Sequence, residues 1–239
     1  MITMGKVLAV HVINDEPTRY ASFWAQTILG EARRVGHTTR ELTGAMVTTA
    51  GLQSSMEQYK PDMVVLAGHG GPNVFTGAGM QVVLQGCVND AIMKGSQSMF
   101  VSCLTGLSLV PSMVSKGTLA ASGFTKEFVW MIDGSGYPAA DRYAASFTRF
   151  WVESSRALFQ SGSWQNYYQV GKRVWAEEEA KWQQSNDPVA PSVLLCIRQN
   201  SSAMVVNGAG SMEIPEFAGG LAGFLPVLAI GALLYSRNK

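Results

Sequence analysis

Short unbroken apolar runs alternate along most of this chain with longer stretches whose apolar residues return every three to four positions. Lys6 to Ile13 is such a run and reads as a buried first strand. Asn14, Asp15, Glu16 and Pro17 break it. Thr18 to Val35 predicts a helix with Ala21, Trp24, Ala25, Ile28 and Leu29 on one face. Thr38 to Leu42 predicts a second strand. Thr48 to Tyr59 predicts a second helix, capped by Thr48 or Thr49. Met63 to Ala67 is a third buried strand, followed by a glycine-rich loop that opens with Gly68, His69, Gly70 and Gly71. A short helix is expected over Cys87 to Lys94, a fourth strand over Ser98 to Ser102, a helix over Leu107 to Ser115 and a fifth strand over Thr118 to Ser122. Helices are then expected over Ala139 to Phe159 and Trp164 to Gln184. Val193 to Ile197 and Ala203 to Val206 read as late edge strands. The β-α alternation argues for a mostly parallel sheet covered by helices on both faces, an α/β/α sandwich.

The C-terminus breaks this rhythm. Phe217 to Tyr235 is an uncharged apolar run of about 19 residues, close to the roughly 20 that cross a bilayer as a helix. Residues 1–210 are therefore expected to form one catalytic-sized domain, 211–216 a linker, 217–235 a transmembrane helix and 236–239 a short basic tail. Arg237 and Lys239 follow the span while Glu213 and Glu216 precede it. The positive-inside bias would leave that tail in the cytoplasm and the domain outside. The N-terminus, by contrast, reads as a strand and not as an export signal. Membrane attachment is expected, with the side left open.

Composition narrows the chemistry. The 239 residues are 47% hydrophobic and 15% charged, with a net charge of +1. These values argue against disorder. No cluster of Lys or Arg marks a nucleic-acid footprint, so no nucleic-acid partner is expected. Cys87, Cys103 and Cys196 match no zinc or redox spacing, and with three histidines in the chain neither a metal nor another cofactor is expected. The loop from Gly68 to Gly79 lacks the Lys-Ser/Thr ending of a phosphate-binding loop. His11 reads as a core or strand-edge residue and His37 as solvent-facing. Cys87 and Cys196 read as structural thiols, and the acidic run at Glu177, Glu178 and Glu179 as a solvated helix face.

Two loops stand out because each follows a buried strand. In parallel α/β sheets, ligands bind outside the carboxyl ends of the strands. The third strand delivers His69 there and the fourth delivers Cys103. A thiol is a modest nucleophile at neutral pH unless a neighbouring imidazole takes its proton. Backbone N–H groups of Gly70 and Cys103 are candidates for stabilising an oxyanion.

The order of these elements resembles the caspase-like cysteine peptidases, which include caspases, gingipains, legumain, clostripain and separase. The resemblance rests on Gly68, His69 and Gly70 after the third strand and on Val101, Ser102 and Cys103 at the end of the fourth. Leu119 to Trp130 is similar to the fifth strand and following loop of gingipain-like members. It covers roughly residues 5 to 200. It implies a caspase-like fold and hydrolysis of a protein or peptide substrate through an acyl-enzyme. Cys103 would be the nucleophile, His69 the general base and acid, and Gly70 and Cys103 the oxyanion hole. The resemblance implies a dyad without a third member. It also implies a specificity pocket built from the loops after Cys103 and after the fifth strand. Lys126, Glu127, Asp133 and Arg142 are its charged candidates, and Glu127 and Asp133 tilt the expectation toward basic substrates. Phe128 and Trp130 offer an apolar wall instead. The alternative is a catalytically inactive caspase-like module that binds a partner at the membrane. Separately, Ile214, Pro215, Glu216 and Phe217 before an apolar span and a basic end are similar to the C-terminal sorting signals of archaeal surface proteins.

Overall fold

A computed structural model describes residues 5–208. The expected linker, transmembrane helix and basic tail lie outside the described residues. Among the described residues, no helix is long and apolar enough to cross a membrane.

The chain runs β1 (Lys6–His11), α1 (Glu16–Arg34), β2 (Thr38–Thr43), α2 (Thr49–Tyr59), β3 (Met63–Ala67), β4 (Gly70–Gly71), β5 (Val74–Thr76), β6 (Val82–Gln85), β7 (Gln97–Val101), α3 (Leu109–Ser115), β8 (Ala120–Phe124), α4 (Ala145–Ser161), α5 (Trp164–Gln183), α6 (Ala190–Ala203) and β9 (Met204–Gly208). Six strands form the central sheet in the order β2-β1-β3-β7-β8-β9. The first five are parallel, and β9 closes the far edge antiparallel to β8. The fold is thus α/β with a mostly parallel central sheet.

Alternation along the strands separates two cores. Val7, Ala9, Met63, Val65, Ala67, Met99 and Val101 face α1, α4, α5 and α6. Leu8, Val10, Val64, Leu66 and Phe100 face α2, α3 and the β5-β6 hairpin. Because both faces are covered, the central strands read as continuous apolar runs, which is why they were legible. The first core is aromatic: Phe150 stacks on Trp175 with ring centroids 4.3 Å apart, and Phe128 packs against Trp24, Phe124, Phe147 and Trp151. Such contacts add about 0.5–1.5 kcal/mol each beyond area burial.

Several expectations are corrected. Val193 to Ile197 lies inside α6, where Pro191 starts the helix and Val193, Ile197 and Asn200 form its buried stripe; a five-residue apolar run does not separate strand from helix by itself. Cys87 to Lys94 holds only a single 3₁₀ turn, Asp90–Met93, because Cys87 takes φ +66° and breaks helical geometry. The glycine-rich loop carries a small antiparallel sheet, β4-β5-β6. The helix expected from Ala139 begins at Ala145. His37 is half-buried: its Nδ1 accepts from the Gly5 N–H at 2.9 Å and its ring packs on Phe159. His11 is a buried strand residue as expected, held between Ser22 and Glu41. Cys87 is exposed.

Of the expected solvated acidic run, Glu178 is buried and accepts from Ser146 Oγ at 2.6 Å, Arg149 Nη1 at 2.9 Å and Lys181 Nζ at 2.9 Å. Burial pushes its carboxyl up, but these three donors outweigh burial and hold it below its ordinary value of 4.5. The carboxylate therefore contributes stability above that value and loses it as pH falls through the lower folded value. Glu178→Gln is expected to cost about 1–3 kcal/mol at pH 7 and to flatten the loss of melting temperature below about pH 4.5. Melting curves of both proteins from pH 3 to 8 check this; parallel curves would refute it.

Candidate functional site

The site is built on the pairing of β3 with β7. Ala67 and Val101 are the last register partners, so His69 and Cys103 each lie two residues beyond the same rung. The two loops then meet backbone to backbone. A Cβ built on Gly70 would lie 2.5 Å from the Cys103 carbonyl oxygen and 2.9 Å from Ser102 Oγ. Only glycine permits that approach. Just past Cys103, Leu104 takes the left-handed conformation at φ +61°, held by its N–H bond to the Lys126 carbonyl at 3.2 Å. A non-glycine residue in this region carries local strain that turns the chain sharply at the thiol.

His69 and Cys103 both line one cavity of about 320 Å³. Its lining is mostly apolar, with Ala21, Trp24, Val101, Phe128 and Trp130 among it; Glu16 and Glu127 supply its acidic groups. Trp24 and Trp130 meet edge to face at 5.1 Å. The Glu127–Trp130 wall is fixed from behind by α6. Asn200 donates from Nδ2 to the Val129 carbonyl at 2.7 Å and accepts the Val129 N–H at 3.0 Å, while Gln199 Nε2 donates to the Glu127 carbonyl at 2.9 Å.

His69 donates from Nε2 to Asp15 Oδ2 at 2.7 Å. Asp15 is the N-cap of α1, and its other oxygen accepts the Thr18 N–H at 3.0 Å and the Thr18 hydroxyl at 2.7 Å. Burial pushes the Asp15 carboxyl up, but the bonds from Thr18 and His69 outweigh it and hold it below the usual carboxylate range. One ionised side chain thus caps a helix and takes a hydrogen bond from Nε2 of an imidazole, so that in the neutral ring Nδ1 is the nitrogen with a lone pair. Sequence reasoning missed Asp15 by taking residues 14–17 as a break. Pro17 in the first turn, with an Asp two residues before it, was the available signal for a helix start at that point. Asn200 was missed because it falls between the two runs read as edge strands, Val193 to Ile197 and Ala203 to Val206, where the structure has one helix.

The Cys103 thiol donates to the Phe128 carbonyl at 3.8 Å. Burial, with the nearby Glu127 carboxylate, pushes it up to about 11. Among the described residues no acceptor takes the Cys103 backbone N–H. Of the charged candidates, Glu127 lines the cavity and Asp133 does not. The Asp133 carboxylate instead accepts the N–H groups of Ser135 at 2.8 Å and Arg142 at 3.1 Å, as a turn cap. Arg142 lies over the Tyr143 ring and pairs with Asp187 at 3.3 Å. Lys126 reaches Ser202 at 3.4 Å. Among the described residues, no group of three His, Cys, Asp or Glu side chains forms a metal site.

No protein-family model matches the chain, and no curated protein matches it in sequence. Among solved structures, the Arg-specific cysteine proteinase gingipain R aligns with a TM-score of 0.55 at 13% identity, covering 87% of this chain. The chain spans about half, 47%, of the length of that protein. At this identity the likeness is one of fold, and it supports a caspase-like fold.

A buried thiol pushed up to about 11 is protonated at neutral pH in the free protein. Alkylation of Cys103 by iodoacetamide is therefore expected to be slow at pH 7, slower than at the exposed Cys87, and to rise about tenfold per pH unit between pH 8 and 10. Mass-spectrometric peptide mapping across that range checks this. A rate already at its plateau by pH 7 would mean a preformed thiolate.

Proposed function

We propose that the chain is a cysteine endopeptidase in which Cys103 is the nucleophile, His69 the general base and acid, and Asp15 the group that orients His69, tethered to a membrane through residues 217–235. The observation that carries this reading is the register of β3 and β7, which sets the imidazole and thiol loops on one cavity beside a backbone approach that only glycine allows. The likeness in fold to a cysteine proteinase supports it.

The chemistry follows from the resting state of the thiol. With Cys103 protonated, attack is coupled to transfer of its proton to His69 Nδ1, while Nε2–H stays on Asp15. Sulfur bonds to the carbonyl carbon, and the carbonyl π electrons move to oxygen, where the Gly70 and Cys103 N–H groups receive them. Losing one such donor costs about 3–4 kcal/mol of barrier. As the C–N bond breaks, the proton on Nδ1 passes to the departing amine, leaving a thioester. Water then adds, giving its proton to Nδ1. The C–S bond breaks, the acid leaves, and sulfur recovers its proton. Asp15 stabilises the imidazolium in both halves without taking the proton.

A second reading, an inactive caspase-like partner-binding module, draws on the same thiol: its proton is held by burial and its hydrogen bond goes to Phe128, not to His69. Activity separates the two. Cys103→Ala is expected to abolish cleavage of a positional-scanning peptide library, and retained cleavage would end the peptidase reading. Asp15→Asn keeps a residue that caps helices as well as Asp does. It is expected to lower kcat/KM roughly 100-fold with only a small loss of melting temperature, from the lost charge on the His69 bond. An unchanged kcat/KM would remove Asp15 from the mechanism.

A further inference from the structure

The rim of the sheet opposite the cavity carries a row of lysines. Lys6 opens β1, Lys60 precedes β3 by three residues, Lys94 precedes β7 by three, and Lys116 precedes β8 by four. These four strands are neighbours, in the order β1-β3-β7-β8. At about 4.8 Å per strand the row is roughly 15 Å long. All four residues are exposed, although the Lys6 ammonium donates to the Tyr59 carbonyl at 3.3 Å. Among the described residues none of the four forms an ion pair. Asp62 is the carboxylate set within the row, and it accepts the Lys6 backbone N–H at 2.7 Å.

The chain leaves the described structure on this same rim. β9 runs antiparallel to β8, with Gly208 opposite Ala120, the residue that starts β8. Leu119, exposed at 51%, stands beside that exit, its carbonyl oxygen 2.4 Å from where a Gly208 Cβ would lie. Eight residues, 209–216, then lead to the uncharged run from Phe217 to Tyr235. Fully extended they reach no more than about 29 Å. The cavity lies across the sheet, roughly 20 Å away for strands of five to six residues. The groups there are of opposite sign: Glu16 and Glu127 line it and Asp15 flanks it.

We propose that this lysine rim docks on anionic lipid headgroups, so that the cavity faces away from the bilayer and stays open to a protein substrate. The proposal rests on the membrane tether of the preceding section and is independent of the peptidase chemistry. Lys60 and Lys116 also sit at the C-terminal ends of α2 and α3, where a cation suits the helix dipole. Both residues are exposed at those positions.

The test uses the full chain and two vesicle types, phosphatidylcholine alone and phosphatidylcholine with phosphatidylserine. The unaltered chain is expected to bind both and to prefer the anionic vesicles, with the preference weakening at high salt. In Lys60→Gln/Lys94→Gln/Lys116→Gln the preference is expected to fall roughly tenfold to a hundredfold, with each single substitution taking a share. Lys126→Gln, near the cavity, should leave it in place. Equal binding to both vesicles, or a preference unchanged in the triple variant and in all three single variants, would overturn the proposal while leaving the tether intact. A lysine-dependent preference with no binding to neutral vesicles would support the rim and sink the tether. Lysine-dependent binding to a duplex oligonucleotide without any vesicle preference would overturn the proposal in favour of nucleic acid.

Discussion

The pairing of β3 with β7 is the constraint on which the rest depends. With Ala67 opposite Val101, the two chains leave the sheet level with one another, and His69 and Cys103 follow at equal distance. A slip of one residue would invert every side chain on one strand between the two cores. Both strands are buried on both faces, so such a slip would also send Val65 and Leu66 into the wrong layers. The packing energy of the whole sandwich therefore fixes the relative position of an imidazole and a thiol far apart in sequence. Gly70 completes the arrangement, because any larger residue would hold the two loops apart.

Two further elements turn that adjacency into a candidate site. α1 begins at the same rim because Asp15 caps it, and the cap's second oxygen holds the His69 ring. The ring's orientation is thus tied to the start of a helix whose buried face anchors the first core. On the other side, Asn200 of α6 grips both backbone groups of Val129 and sets the wall that faces Cys103. The resulting cavity is lined mostly by apolar side chains, with Glu16 and Glu127 as its acidic groups. Such surroundings keep the thiol protonated at rest, and they make the proton-accepting nitrogen of His69 the central chemical requirement of the proposed reaction.

What was legible in the sequence follows the same physics. β1, β3 and β7 announce themselves as apolar runs because both faces are covered, and α5 by its long amphipathic period. The glycine-rich loop around His69 was visible in the sequence, but the contact that needs Gly70, its backbone against Cys103, was not. Elements whose identity depends on distant partners were not legible. β4 is two glycines that become a strand only by pairing with β5. Val193 to Ile197 is compatible with either structure until α5 and the sheet supply the surface that α6 packs on. Asp15 looked like part of a polar break because its partner, His69, is 54 positions away. Asp133 was a candidate because the resemblance places the loop after the fifth strand at the pocket, and its carboxylate caps a turn there.

The most direct measurement of the central claim is covalent trapping by a peptide bearing an electrophilic ketone, mapped by mass spectrometry in the unaltered chain and in His69→Ala. A single adduct on Cys103 is expected, formed far more slowly once the imidazole is gone. Adducts on Cys87 alone, or labelling of Cys103 at the same rate in both proteins, would contradict it.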